Sequence, residues 1–403
     1  MVSIPTIIVV AYNRPFALNR ILYSLSKADY EGYKDVSLCI SIDGGGEYNT
    51  EVMAVANNFE WAFGEKKIVI HSENKGLRKH IISCGNLIEQ YENIIMLEED
   101  CFVSRNFYDF GYKALSYYQN EDKIAGISLY AYNFFESISV PFTSLYDGND
   151  VYFVQVPGSL GQVWTKKQWN GFMDYYKSKP QISQADKLPE KVKTWPESSW
   201  KKYFYKYMVE KDLFFVYPQI SFSTNFGDMG THFSLPTQLY QVPLENTMLR
   251  KHYSFVDFDD SNNKYDAFFE LLPESLIKLG ANIDKDTCID MMGGKVLSMY
   301  DNKYALSVKD CKAKLQGYSN ALQPFMLNVL FSQEGDFFSY AFKLDFLEAK
   351  ASRKNELIKS GQTLSFDAGR LSIITGKYYK IGYYLSHPQK ILKMINRKFS
   401  KTS

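Results

Sequence analysis

Apolar and polar positions alternate with two distinct periods over the first hundred residues. Pro5 to Ala11 is a β-branched run, and residues 16–27 then carry apolar side chains at helical spacing. The pattern repeats as a strand from Val36 to Ile42 and a helix over 50–63, then a strand from Lys67 to His71 and a helix over 77–91. A fourth strand covers 94–97. Strands alternating with helices predict βαβ units, a parallel sheet and right-handed crossovers. Further along, the spacing predicts helices over 104–119, 165–177 and 197–211. It predicts strands over 123–129, 151–156 and Phe214–Tyr217. Residues 221–236 have turn chemistry without a period and read as a loop of the kind that closes over ligands.

The fourth strand carries the most informative residues. Ile94-Ile95-Met96-Leu97 runs directly into Glu98-Glu99-Asp100. In open α/β sheets, ligand groups lie just outside the carboxyl ends of the strands. Three carboxylates there repel one another unless a cation neutralises them, and oxygen ligands suit Mg²⁺ or Mn²⁺. The same residues also read as a solvated acidic strand end. Two other strand ends carry chemistry. Ala11-Tyr12-Asn13-Arg14-Pro15 puts a fixed cation after the first strand, suited to a phosphate or an acid, or else to capping a turn. Ser41-Ile42-Asp43-Gly44-Gly45-Gly46 puts an acid and glycines after the second, suited to a base or ribose, or else a flexible turn.

Composition changes this picture only at the margins. The chain has 403 residues, 45% of them hydrophobic, enough for one large domain with an extension or for two domains. A net charge of +1 gives no global attraction to nucleic acid. The five cysteines are scattered without a CxxC pair, which suits a reducing compartment better than a zinc site or disulfide framework. No signal segment or run of about 18 apolar residues is present, so the expected location is cytoplasmic. The 31 tyrosines and 29 phenylalanines fit either stacking platforms or half-buried filler.

Taken in order, VVAYNRP, SIDGG, IIMLEEDCFVSRNFYDF, AGISLYAYN, PGSLGQVWTKKQW and ISFSTNFGDMGTHFS resemble a nucleotide-sugar glycosyltransferase of the A fold (GT-A) over roughly residues 5–235. The resemblance is to the inverting N-acetylglucosaminyltransferase I type and, more broadly, to bacterial family 2 enzymes of surface-polysaccharide synthesis. It implies an α/β fold, a Rossmann-like mixed, mostly parallel sheet flanked by helices, with a smaller C-terminal α+β extension. The transferase domain would cover 1–250, with a nucleotide-binding half at 1–103 and a donor and acceptor half at 104–250; the extension would cover 251–403. The resemblance places Arg14 and Asp43 beside the base and ribose of a UDP-sugar, and Glu98 and Glu99 near the ribose and donor sugar. Asp100 would be the metal ligand, for Mn²⁺ or Mg²⁺. Gly158 and Gly161 would turn beneath the donor sugar, and Gly230, Thr231 and His232 would close on the diphosphate. It implies a glycan or lipid-linked glycan acceptor.

An inverting transfer needs a base for the acceptor hydroxyl. The family's Trp-Asp-Asp-Trp-like stretch corresponds to Trp195-Pro196-Glu197-Ser198-Ser199-Trp200, where serines replace the acids, and Glu197 becomes the candidate. Its other reading is a first-turn glutamate favoured by the helix dipole, and Asp228 is a weaker substitute. The missing acids also admit a catalytically inactive nucleotide-sugar-binding subunit of a glycan assembly complex. A sugar-nucleotide nucleotidylyltransferase would need a glycine-rich basic loop after strand one, where this chain has Ala-Tyr-Asn-Arg-Pro-Phe. From Tyr378 the tail interleaves Ile381, Leu385, Ile391, Leu392 and Ile395 with Lys390, Lys393, Arg397, Lys398 and Lys401. That pattern fits peripheral contact with an anionic membrane or a docked terminal helix, and Pro388 interrupts it.

Overall fold

The β-branched runs at the start of the chain become the middle of a large sheet. In the computed structural model, residues 3–138, 140–228, 237–248 and 252–347 are described, and all of these but Asp228 and Thr237 belong to one compact unit. The sequence-derived positions Gly230, Thr231 and His232, and the basic tail, lie outside the described residues. The first four strands are β1 (Thr6–Ala11), β2 (Leu38–Ile42), β3 (Lys66–Ile70) and β4 (Asn93–Glu98). They are followed by the short β5 (Cys101–Val103), by β6 (Ile124–Ser128), and by a small hairpin of β7 (Phe134–Phe135) and β8 (Val140–Pro141). Next come β9 (Val151–Val154), β10 (Gln162–Thr165), β11 (Phe214–Pro218), β12 (Ser223–Asn225) and β13 (Lys264–Tyr265).

Nine of these strands form one sheet in the order β13-β9-β11-β6-β10-β4-β1-β2-β3. β1 to β4, β6 and β11 run one way, while β10, β9 and β13 run the other. This is the mixed, mostly parallel α/β sheet flanked by helices that the sequence led us to expect. β13 comes from beyond residue 250 and pairs with β9, so the main sheet recruits a strand from the 251–403 segment.

The helix Pro15–Lys27 starts with proline in its first turn and buries Leu18, Ile21, Leu22 and Leu25 against Val9, Ala11, Ile40 and Val52. Truncating one such residue, Ile21→Ala, removes about 2–5 kcal/mol. The helix expected to reach residue 63 stops at Asn58. Beyond it Trp61 and Phe63 are drawn onto Tyr30, with ring centroids 5.4 and 4.4 Å apart, and that packing outweighs another helical turn. The helix expected over 77–91 divides into Gly76–Gly85 and Ile88–Tyr91. Trp169 packs on Gly85 there and donates from Nε1 to Asn86 Oδ1 at 2.9 Å.

β10 and β12 were not foreseen. β10 is four buried residues wedged antiparallel between β4 and β6, too short for any period to register. β12 lies inside the expected loop and pairs with β5, directly after the acids. A capping box at Thr165 and Gln168 then starts the helix Lys166–Lys177.

The C-terminal sheet comprises β14 (Thr287–Asp290), β15 (Tyr304–Ser307), β16 (Gln316–Tyr318) and β17 (Phe338–Phe342), ordered β14-β15-β17-β16. Its base holds a closed ionic network. Lys295 Nζ lies 2.5 Å from Asp266 Oδ2. Asp290, fully buried, accepts from Lys295 N at 2.9 Å and Ser307 Oγ at 2.9 Å, with Lys309 Nζ at 3.5 Å. Glu270 accepts from Met292 N at 2.5 Å. Burial, ahead of any neighbouring charge, pushes the Glu270 and Asp290 carboxyls above the usual range.

Candidate functional site

The parallel register of β1, β2 and β4 brings the three candidate segments to one edge. Val10 pairs with Ser41 on one side and with Glu98 on the other, and Ala11 pairs with Ile42. Arg14, Asp43 and the acids Glu98, Glu99 and Asp100 therefore emerge from neighbouring carboxyl ends.

Their geometries differ sharply. Glu99 is buried and accepts from Tyr12 N at 2.6 Å and Arg14 Nε at 2.6 Å, while its own N–H donates to Val10 O at 3.0 Å. It ties the β1 turn to the end of β4. Arg14 also donates from Nη2 to Asp100 Oδ2 at 3.0 Å. Burial weakens the charged form of Arg14, but Asp100 and Glu99 outweigh it and raise its pKa further. The neutralising charge that the sequence assigned to a divalent ion is thus supplied, for two of the three acids, by a guanidinium within the chain.

Glu98 is left over. Its side chain is partly open, and no hydrogen bond or ion pair reaches its carboxylate among the described residues. Burial first, then the charges of Asp100 and Glu99, push it up to about 8 against the pull of Arg14 and Lys201. Asp100 is half-open, with one oxygen committed to Arg14, and its backbone carbonyl accepts from Phe226 N at 3.0 Å. No group of three or more His, Cys, Asp or Glu side chains is arranged to hold a metal among the described residues. The donor set fits a cation that takes one or two protein carboxylates and completes its shell from phosphate and water.

Asp43 is a turn anchor. Its carboxylate accepts from Lys75 N at 2.8 Å, Gly76 N at 3.1 Å and Gly44 N at 3.1 Å, pinning the start of the helix Gly76–Gly85. Gly44 is obligatory beside it, since a Cβ there would sit 2.5 Å from His71 O. Gly161 adopts φ +101° and, like Gly158, packs against the end of β6, at Leu129 and Ser128 respectively.

Glu197 has partners of its own, none of them shared with the acids. It is largely exposed and is engaged by Lys202, by the Tyr203 hydroxyl and, at 3.7 Å, by Arg78 Nη1. The hydrogen bonds from Lys202 and Tyr203 hold its carboxyl below the usual range, which weakens it as a proton acceptor. Arg78 belongs to the helix that Asp43 anchors, so Glu197 borders the segment that follows β3.

Two features escaped the sequence. Behind Asp43, Ser41 Oγ lies 2.8 Å from His80 Nε2 and 3.3 Å from His71 Nε2, and burial pulls His80 down to about 4. The second is a cluster of Lys201, Glu136 and Tyr132, formed on the segment that follows β6 at the sheet edge where β4 also ends. Neither has a local motif, because its members come from separate elements.

No known family model matches the chain, and no curated protein matches it. Among solved structures it is similar to a cytidylyltransferase from Leptospira borgpetersenii, at 9% identity and TM-score 0.28, over 43% of this chain and 65% of that one. It is similar to the mannosyltransferase PcManGT from Pyrobaculum calidifontis in complex with GDP-Man and Mn²⁺, at 13% identity and TM-score 0.24, over 31% and 35%. It is also similar to S. aureus TarS, at 10% identity and TM-score 0.34, over 70% and 41%. The chain thus spans less than two thirds of each of these three. With every TM-score below 0.5, the functional reading rests on the site's own geometry. No helix among the described residues is long and apolar enough to cross a membrane.

Proposed function

We propose that the chain is a metal-dependent inverting glycosyltransferase that takes a nucleotide-sugar donor, with UDP as the nucleotide and a glycan or lipid-linked glycan as acceptor in surface-polysaccharide synthesis. The observation that carries this is the incompletely paired acid pair Glu98 and Asp100 at the carboxyl edge of β4, beside a turn locked by Arg14 and Glu99. Closed salt bridges need no ligand, whereas a partly open carboxyl beside two others, with only a proton for partner, gives a divalent cation an oxygen ligand in exchange for that proton.

Asp100, with Glu98 beside it, would hold Mg²⁺ or Mn²⁺. The ion, once bound, would supply Lewis-acid stabilisation to the departing diphosphate. Arg14 fixes the Asp100 carboxylate, Glu99 holds the β1 turn in place, and Asp43 sets the helix start that borders the nucleotide. Glu197 is the proton acceptor carried over from the resemblance, and it would have to leave Lys202 and Tyr203 to act. Cytoplasmic location and contact of the tail with a membrane surface belong to the same proposal.

The engagement of Glu197 favours one second reading, a nucleotide-sugar-binding subunit without transfer activity. Release of nucleoside diphosphate from UDP-, GDP- and dTDP-sugars with Mn²⁺ separates the two. A transferase hydrolyses at least one donor slowly and loses that activity at least about tenfold in Glu197→Gln. Binding without any release supports the subunit, and release unchanged by Glu197→Gln removes Glu197 as the base.

A further inference from the structure

Lys201 opens the helix Lys201–Glu210, and its ammonium donates to Tyr132 Oη at 3.0 Å and to Glu136 Oε1 at 3.4 Å. It also stands over the rings of Tyr132 and Trp195, 5.7 and 5.6 Å from their centroids. Glu136 keeps a second partner, the Tyr240 hydroxyl, at 3.2 Å from Oε2. The Lys201 and Glu136 side chains are 12% and 11% exposed, so the pair is sheltered yet reachable.

A charge-assisted N–H···O bond normally closes to about 2.7–2.9 Å. At 3.4 Å the Lys201–Glu136 pair is loosely closed, in contrast to Arg14, which holds its two acids at 2.6 and 3.0 Å. Gln162 of β10 pairs with Met96 of β4 on one side and with Ser128 of β6 on the other, so Tyr132 and Glu136, which follow β6, leave the sheet at the edge that carries Glu98 and bring Lys201 to that edge. The Glu99 and Asp100 carboxylates share one guanidinium, which leaves this edge negative even while Glu98 keeps its proton. A diphosphate arriving there meets repulsion that a metal alone must offset, unless a further cation turns toward it.

We infer that Lys201 is the side chain that meets the diphosphate of the donor, with Glu136 as its resident counter-ion in the free protein. This rests on the nucleotide-sugar reading above. On binding, the ammonium exchanges a carboxylate oxygen for a phosphate oxygen while the Tyr240 hydroxyl stays on Glu136. Cation–π contact with Tyr132 and Trp195 holds the lysine stem in place during the exchange. No covalent bond changes; the step is an exchange of ion partners.

The test is calorimetric titration of the full chain with UDP and, separately, with inorganic pyrophosphate, each with Mn²⁺. Lys201→Met should weaken both ligands about tenfold, roughly one charge-assisted contact. Glu136→Gln should tighten both several-fold, because the competing carboxylate is gone. The opposite signs exclude general damage to the fold, and Lys201→Arg should bind within a few-fold of wild type. Equal UDP binding by wild type and Lys201→Met overturns the inference and leaves the proposed function standing. Pyrophosphate bound through Lys201 without any nucleotide binding sustains the inference and removes the nucleotide-sugar reading. Failure of the wild type to bind either ligand overturns both.

Discussion

The chain contains two clusters of acids that differ in how completely they are paired. At the base of the C-terminal sheet, Asp266, Glu270 and Asp290 are met by Lys295, Lys309, Ser307 and backbone N–H groups. At the carboxyl edge of β4, Glu99 is equally well satisfied, but Asp100 keeps an open side and Glu98 has no partner among the described residues. The first cluster is sealed inside the fold and holds loops in register. The second is left incomplete where the strands of an α/β sheet present ligands. Acidity alone does not mark a site; unfinished pairing at an accessible strand end does.

The comparison can be broken most forcefully at the sealed cluster. Lys295→Met leaves Asp266 and Asp290 short of a cation and should cost about 3–5 kcal/mol, read by urea unfolding, without changing nucleotide binding. A small loss would mean that the network is dispensable.

A pH series tests the buried histidine behind Asp43. Burial depresses the folded His80 pKa to about 4 from 6.5, so the unfolded chain binds the extra proton between those values. Its contribution is therefore full above about pH 6.5 and is lost as pH falls through about 4, a span worth about 3 kcal/mol. His80→Gln should flatten that part of the stability profile. An unchanged profile would show that His80 is not the titrating group.

The smallest effect should have the opposite sign. Glu98→Gln removes a carboxyl whose ionisation burial and the neighbouring acids oppose, and should stabilise the metal-free protein by about 1 kcal/mol at pH 8, where Glu98 is about half ionised, while weakening Mn²⁺ binding. Destabilisation would place Glu98 among the structural acids instead.

The alternation of β1 to β4 and β6 with helices could be read from the sequence because these elements are long enough to show their period, whereas the three-residue β5 and the division of the helix over 77–91 could not. The acid run after β4 was visible because its residues are contiguous. What they do was less visible. Glu98, Glu99 and Asp100 are adjacent in sequence, yet one is buried in a clamp, one half-engaged and one unpaired, and the Arg14 fork and the Tyr12 N–H distinguish them. Asp43 looked available for a ribose, but three backbone N–H groups consume it. The sealed network was invisible because Asp266 and Lys295 meet only after β13 joins the main sheet and β14 forms. Lys201 and Glu136 are likewise 65 positions apart.

The most direct test of the central claim is titration of UDP into the wild type and Asp100→Ala, each with and without Mn²⁺. The account predicts binding that requires the metal and falls at least about tenfold in the variant. Metal-independent binding, or equal binding by Asp100→Ala, would contradict it, as would failure of UDP, GDP and dTDP alike to bind the wild type.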